Sequence, residues 1–342
     1  MRAAKLVNPG KIAIEEIPEP SIGDNDVKIC VKFCGICGSD IAAYQGIHPF
    51  ISPPIILGHE VVGVIEEIGK SVEGFEVGDR VTIEPLITCG KCYNCKSGVY
   101  NRCEKIKVIG CQIDGGFCEH IKVDFLRVYK LPNGIPFEVG ALTEPLAVAF
   151  HALSRGSPFF GENVVIIGDG TIGLLIAMLS QLNGCNTTLV GISDKKLKFA
   201  KEVLRIPYVI NSKEENTVKI IRDIYADSGV DFVFECVGHT QETIKQAIQL
   251  VRRGGIVVVV GVFHESIPVD VGYVQDKEIT LLGTLVYTFK DFYNAIKVMG
   301  RDDVKEKILK FITRIYPLEK ADDAFRFILN NRDEAIKVLL RV

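Results

Sequence analysis

The sequence predicts an α/β protein in which a β-rich, loop-rich part precedes a doubly wound parallel sheet. Three observations lead there. The first ~145 residues show no long helical periodicity, only short β-rich runs between Gly, Pro and Asp. From Asn163 onward, apolar strand-like runs alternate with helical segments, the pattern of a parallel sheet covered on both faces. The 342 residues, 47% hydrophobic and 24% charged, have ordinary globular composition. At about 150 residues per domain they suggest about two domains.

In the first part, Val27–Phe33, Val61–Ile68 and Asp79–Ile83 read as strands. Asn163–Ile167 is apolar throughout and reads as a strand buried on both faces. Thr171–Asn183 follows as a helix and Thr187–Ile192 as a strand. Asp194–Leu204 reads as a helix, with Asp194 placed to cap it. Asp231–Cys236, Gln241–Arg252 and Ile256–Val262 continue as strand, helix, strand. Past Thr284, Phe289–Met299 and Leu318–Leu329 read as polar-faced helices and Ala335–Arg341 as a last strand. No repeat, low-complexity tract or long linker appears. The domains are therefore expected to pack directly against each other around a cleft.

Charge excludes two function classes. Forty basic and 43 acidic residues leave a net charge of −3, which attracts neither nucleic acid nor an anionic membrane surface. Met-Arg-Ala-Ala-Lys at the start is not followed by an apolar signal region. The apolar runs near 164–182 and 254–263 are interrupted by Gly and Asp and are too short to span a bilayer. A cytoplasmic protein is expected. In that reducing compartment, 11 cysteines point to metal more than to disulfides.

Gly168-Asp169-Gly170-Thr171-Ile172-Gly173 fits G-x-G-x-x-G, after a buried strand and at the start of a helix. The first glycine permits the tight turn, the second lets backbone approach a pyrophosphate, and the third lets helix and strand pack closely. The helix N-terminus offers N–H groups to the phosphates. An acid at the end of the next strand would read the ribose 2′-hydroxyl of NAD. That place falls on Gly191, which removes the carboxylate and opens room. Ser193, Lys195 and Lys196 could meet a 2′-phosphate, although no arginine follows. The balance leans to NADP over NAD.

Two sets of residues have the make-up of metal sites. Cys89, Cys92, Cys95 and Cys103 form C-x2-C-x2-C-x7-C. Four thiolates this close can enclose one Zn²⁺ tetrahedrally and leave no open position, a structural site. The alternative, a zinc ribbon reading nucleic acid, conflicts with the neutral charge. The second set is dispersed: Cys37 in Gly35-Ile36-Cys37-Gly38-Ser39-Asp40, and Gly58-His59-Glu60. One thiolate, one imidazole and one carboxylate leave Zn²⁺ an open position, the catalytic arrangement. Glu144, in Thr143-Glu144-Pro145, is a carboxylate at the junction of the two parts.

These motifs, with Asp114-Gly115-Gly116-Phe117 and Glu144-Pro145-Leu146, run in order over the whole chain. Together they resemble the zinc-containing medium-chain dehydrogenases, and most of all their polyol, sugar-acid and threonine dehydrogenase branch. The resemblance implies a GroES-like catalytic domain from both chain ends, 1–146 and 286–342, with a structural zinc lobe at 86–106. A Rossmann NAD(P)-binding domain, 147–285, would be inserted in it, with the active site in the cleft between. It also implies two zinc ions per chain. Cys37, His59 and Glu60 match catalytic zinc ligands, and Glu144 a carboxylate binding zinc directly or through water. Ser39 matches the hydroxyl that passes on the substrate proton, and Asp40 a partner orienting His59.

Cys236-Val237-Gly238 and Val260-Gly261-Val262 match segments beside the cofactor's adenosine ribose and nicotinamide. Many relatives carry a histidine shortly after the Ser-Asp pair, where Ala42 and Ala43 stand here. His48 is a candidate replacement, and Tyr44, Phe50 and Phe117 are candidate pocket walls. The implied reaction is reversible oxidation of a secondary alcohol to a ketone. The substrate would be a polyol, a sugar acid or a related alcohol, with threonine or butanediol as the alternative. Relatives imply a homodimer or homotetramer paired near Thr280–Tyr287. The remaining rivals are a metal-free reductase and a non-enzymatic binding protein of the same fold.

Overall fold

The computed structural model describes residues 1–342 apart from Asp227 and His264. The chain divides into two compact units, one made of 1–144 and 288–342 and the other of 145–287.

The first unit is built on the long strand Asp26–Ile36, whose alternating burial lays Val27, Ile29 and Val31 into the core. It pairs antiparallel with Glu60–Ile68 on one side and with the C-terminal strand Lys337–Arg341 on the other. The partners Val338↔Ile36 and Arg341↔Phe33 show how the two chain ends meet in one sheet. Arg80–Ile83, Val128–Lys130, Ile312–Pro317 and His120–Asp124 complete that sheet. Leu6, Ile65, Ile83, Phe117 and Phe325 pack in its core. Tyr44 and Phe117 belong to this core and Phe50 is exposed, so only Phe50 of the three candidate pocket walls faces solvent.

The second unit is a six-stranded sheet whose neighbouring strands all pair in parallel. Its order is Tyr208–Asn211, Asn186–Gly191, Asn163–Ile167, Val230–Glu235, Val251–Val259, Thr280–Gly283. The order reverses beside Asn163–Ile167, the switch point at which such sheets bind ligands. Val164, Val165 and Ile166 are wholly buried, as an all-apolar central strand requires.

Several sequence expectations are corrected here. Ser193, not Asp194, caps the helix Asp194–Phe199: its hydroxyl accepts the Lys196 N–H at 3.3 Å. Asp194 instead accepts from Asn211 Nδ2 at 2.7 Å, a partner contributed by the neighbouring strand. The expected helix to Leu204 changes at Ala200 into a π-turn, which ends on left-handed Arg205. The strand expected at Ile256–Val262 is Val251–Val259, because Arg252, Arg253 and Gly254 continue its backbone despite being polar or small. The helix expected at Leu318–Leu329 is a 3-10 turn, Leu318–Lys320, followed by Ala321–Asn330.

Candidate active site and metal centres

The dispersed candidate ligands meet because strand register brings them together. Cys37 follows the end of Asp26–Ile36 and caps the short helix Gly38–Tyr44. On the paired strand, Glu60 stands opposite Gly35, and His59 precedes it. One ligand atom from each of Cys37, His59 and Glu60 lies within 4.8 Å of the others. Two glycines make the approach possible. A Cβ on Gly35 would overlap the Glu60 carboxylate. Gly58 has φ +96°, and a Cβ there would lie 2.5 Å from the Phe117 ring.

Asp40 is fully buried under this group. One oxygen accepts the Cys37 N–H at 2.8 Å, and the other lies 3.8 Å from His59 Nδ1. Burial works against a charged imidazole, yet Asp40 and Cys37 hold the His59 value well above its ordinary one. The surroundings therefore favour positive charge at the imidazole, and the donors are one sulfur, one nitrogen and one carboxylate. This set fits zinc with a position left for substrate.

Lys337 is a site residue that sequence reading missed. Its Nζ donates to Glu60 Oε1 at 2.6 Å, to Oε2 at 2.8 Å and to the Ile36 carbonyl at 3.2 Å. Burial opposes the ammonium, but Glu60, followed by Cys37 and Glu144, holds its value above the ordinary one. Glu60 is thus shared between the ligand set and a fixed cation. The signal in the sequence was a lone lysine in the apolar run Ile336-Lys337-Val338-Leu339-Leu340.

Gly35→Ala tests the packing of this group. The new methyl pushes the Glu60 carboxylate off Lys337, and overpacking of this kind costs about 1–3 kcal/mol. Thermal unfolding will fall, and a chelator will remove one zinc more readily. A variant with wild-type values for both would show that Glu60 has another place to go.

The other expected residues lie as follows. Ser39 is half-buried in the first turn of Gly38–Tyr44. Glu144 is buried in the first turn of the helix Thr143–Gly156. His48 lies in the loop after the ligand helix, its Nδ1 accepting the Phe50 N–H at 3.2 Å.

The second metal set is compact. One sulfur from each of Cys89, Cys92, Cys95 and Cys103 lies within 4.8 Å of the rest. Cys92 Sγ is 3.5 Å and Cys89 Sγ 3.9 Å from Cys95 Sγ. Tetrahedral zinc with ligands at about 2.3 Å needs sulfurs about 3.8 Å apart. Backbone N–H groups of Cys89 and Lys105 point at Cys103 Sγ, and that of Cys92 at Cys89 Sγ. The N–H groups of Lys91 and Cys92 lower the Cys89 thiol to about 6, which favours the thiolate that metal requires.

In the second unit, the three loop glycines have separate roles. Gly168 turns at φ +123°. A Cβ on Gly170 would meet open space, and one on Gly173 would overlap the Gly168 carbonyl. Gly170 caps the helix Thr171–Leu182, whose first turn holds the N–H groups of Thr171 and Ile172. Glu235 organises the far rim. It accepts the Val237 and Gly238 N–H groups on Oε1, at 3.0 and 2.9 Å, and its carbonyl accepts those of Val260 and Gly261. Cys236 is pushed well above its ordinary value by burial, then by Glu235, which keeps it an inert thiol. Ile192, Val237 and Val262 are exposed apolar side chains at the carboxyl ends of the strands.

The room expected at Gly191 is not there. A Cβ on Gly191 would lie 2.5 Å from Asp169 Oδ2, because the Asp169 side chain fills that space. Ser193 and Lys196 are buried, and the Ser193 hydroxyl is committed to its helix cap.

Comparison with known proteins identifies the family. The domain family described as alcohol dehydrogenase GroES-like domain matches residues 23–133, and the one described as zinc-binding dehydrogenase matches 171–301. A sorbitol dehydrogenase of Halalkalibacterium halodurans is 38% identical over 335 residues, covering 97% of this chain and 96% of its own length. A putative zinc-binding dehydrogenase of Sinorhizobium meliloti, bound to NADP, superposes with a TM-score of 0.89 at 30% identity, over 100% of this chain and 99% of that one. An alcohol dehydrogenase of Escherichia coli complexed with NADH does so at 0.91 and 28% identity, over 100% and 99%. The chain therefore belongs to the zinc-containing alcohol dehydrogenase family, in its polyol, sugar-acid and threonine dehydrogenase branch, and is an NAD(P)-dependent oxidoreductase.

Proposed function

We propose that the chain oxidises a secondary alcohol of a polyol or sugar acid to the ketone, reversibly, with two zinc ions per chain. The observation that carries this reading is the meeting of Cys37, His59 and Glu60 within 4.8 Å. When bound there, zinc supplies Lewis acidity that lowers the pKa of a substrate hydroxyl, and the nicotinamide accepts the hydride. Cys37, His59 and Glu60 hold the metal, with Glu144 as a further carboxylate. Asp40, whose Oδ1 lies 3.8 Å from His59 Nδ1, would orient the imidazole towards the metal. Ser39 takes the proton of the substrate hydroxyl, and His48 is the candidate for passing it outward.

In the same reading, Gly168, Gly170 and Gly173 shape the pyrophosphate loop, with the N–H groups of Thr171 and Ile172 as donors. Cys236, Val237, Val260 and Gly261 form the rim beside the ribose and nicotinamide. Cys89, Cys92, Cys95 and Cys103 hold the structural zinc. The catalytic domain takes 1–146 and 286–342, and the nucleotide domain 147–285. Thr280–Gly283 is an edge strand with exposed Leu281, which suits a homodimer or homotetramer joined there. Eleven free thiols suit the reducing cytoplasm, and no helix among the described residues is long and apolar enough to cross a membrane.

A threonine or butanediol substrate is the second reading, since the same machinery serves any secondary alcohol. Metal analysis and a panel of polyols, sugar acids, threonine and butanediol test both. Two zinc ions and turnover of a hexitol or hexonate are expected. Turnover confined to threonine or butanediol would move the assignment to the second reading. One zinc, with no turnover of any alcohol, would overturn both.

A further inference from the structure

The glycine loop carries a carboxylate where the end of the next strand lacks one. Asp169 lies between the first two loop glycines and is buried. Its Oδ2 accepts the Ile192 and Ser193 N–H groups, each at 2.8 Å. Those residues form the turn that leaves the strand Asn186–Gly191. An ideal Cβ on Gly191 would come within 2.6 Å of Asp169 Cβ and 2.8 Å of Cγ. The Asp169 carboxylate thus occupies the volume that an acidic side chain on residue 191 would fill. Gly191 is small because another side chain is already there.

We propose that Asp169 is the specificity-determining residue for the cofactor: it reads the ribose 2′-hydroxyl and makes the protein selective for NAD over NADP. This rests on the nicotinamide dinucleotide lying along the glycine loop. Three physical effects favour NAD. A 2′-phosphate brings about two negative charges towards a carboxylate fixed in place. The Ile192 and Ser193 N–H groups, which could bind phosphate oxygens, already serve Oδ2. The carboxylate also fills the space beside Gly191. A 2′-hydroxyl, by contrast, can donate to the carboxylate, whose Oδ1 takes no part in the two backbone bonds. Lys195 and Lys196, in the helix Asp194–Phe199 that follows the turn, are the groups that would oppose this selectivity.

The test is equilibrium binding of NADH and NADPH to the zinc-loaded full chain, read by fluorescence of the reduced nicotinamide. The wild type is expected to bind NADH at least about tenfold more tightly, and Asp169→Ala to reduce that ratio by at least about tenfold. Asp169→Asn keeps an oxygen for the two N–H groups and removes the charge, so it reports selectivity even if the alanine variant folds poorly. Asp169→Ala with Gly191→Asp returns the carboxylate to the strand end and is expected to restore the NADH preference. A role confined to bracing the turn predicts no such rescue. Equal or tighter binding of NADPH by the wild type would overturn the proposal. So would an unchanged ratio in Asp169→Asn. Binding of neither nucleotide would instead overturn the placement of the cofactor on this loop, and the proposal with it.

Discussion

Cys37→Ala will lose turnover by about three powers of ten or more while the chain stays folded. A metal acting on a developing alkoxide supplies several kilocalories per mole of charge stabilisation, and each 1.36 kcal/mol is about tenfold in rate. Cys37 is the one thiolate of its ligand set, so its loss leaves His59 and a carboxylate that Lys337 also holds. The side chain is half-buried at the end of a strand, and alanine there removes one sulfur and no core packing. Metal analysis will show the loss of one zinc, and circular dichroism and thermal unfolding will stay near wild type. A folded variant with wild-type kcat would refute Cys37 as a ligand. A variant that fails to fold would place it in the structural framework.

Lys337→Met will destabilise the first unit, and the loss will grow when metal is removed. Both side chains of the Lys337–Glu60 pair are buried, at 2% and 0% exposure. Removing one partner leaves an uncompensated buried charge, which costs about 3–5 kcal/mol. For a unit of this size that is a fall in Tm of roughly 6–20 °C. Zinc bound beside Glu60 replaces part of the lost cation, so chelation will lower Tm further in the variant than in the wild type. Adding Glu60→Gln removes the stranded charge and will recover much of the stability. A single variant with unchanged Tm would mean that Glu60 is protonated or reaches water. A chelator effect equal to that of wild type would separate Glu60 from the metal.

Local patterns were legible in the sequence. Cys89, Cys92, Cys95 and Cys103 are close because their spacing is short, whatever the rest of the fold does. The glycine loop follows from a buried strand running into a helix, and Asn163–Ile167 and Phe289–Met299 have the bounds that periodicity gives. The dispersed set was legible as ligand types in Gly-flanked turns, and the resemblance to a family strengthened it, but its meeting was not, since Cys37 and Glu60 come together through the Gly35↔Glu60 register. Boundaries were lost where a neighbour supplied the deciding contact, as when Asn211 took Asp194 and left the cap to Ser193.

By itself, then, the sequence determined the chemistry available: a four-thiolate site, one Cys, His and Glu set, and a loop shaped for a pyrophosphate. The four-thiolate site and the loop depend on residue type and short spacing, which survive without knowledge of the fold, and the dispersed set on residue type alone. Only the tertiary structure decided how the charges are shared. Lys337 reaches Glu60 from 277 positions away because Lys337–Arg341 and Glu60–Ile68 both pair with Asp26–Ile36. Asp169 reaches the turn 23 and 24 residues on because two parallel strands end side by side. Electrostatic partnership depends on distance in space, and one-dimensional spacing carries that only within a turn or a short loop.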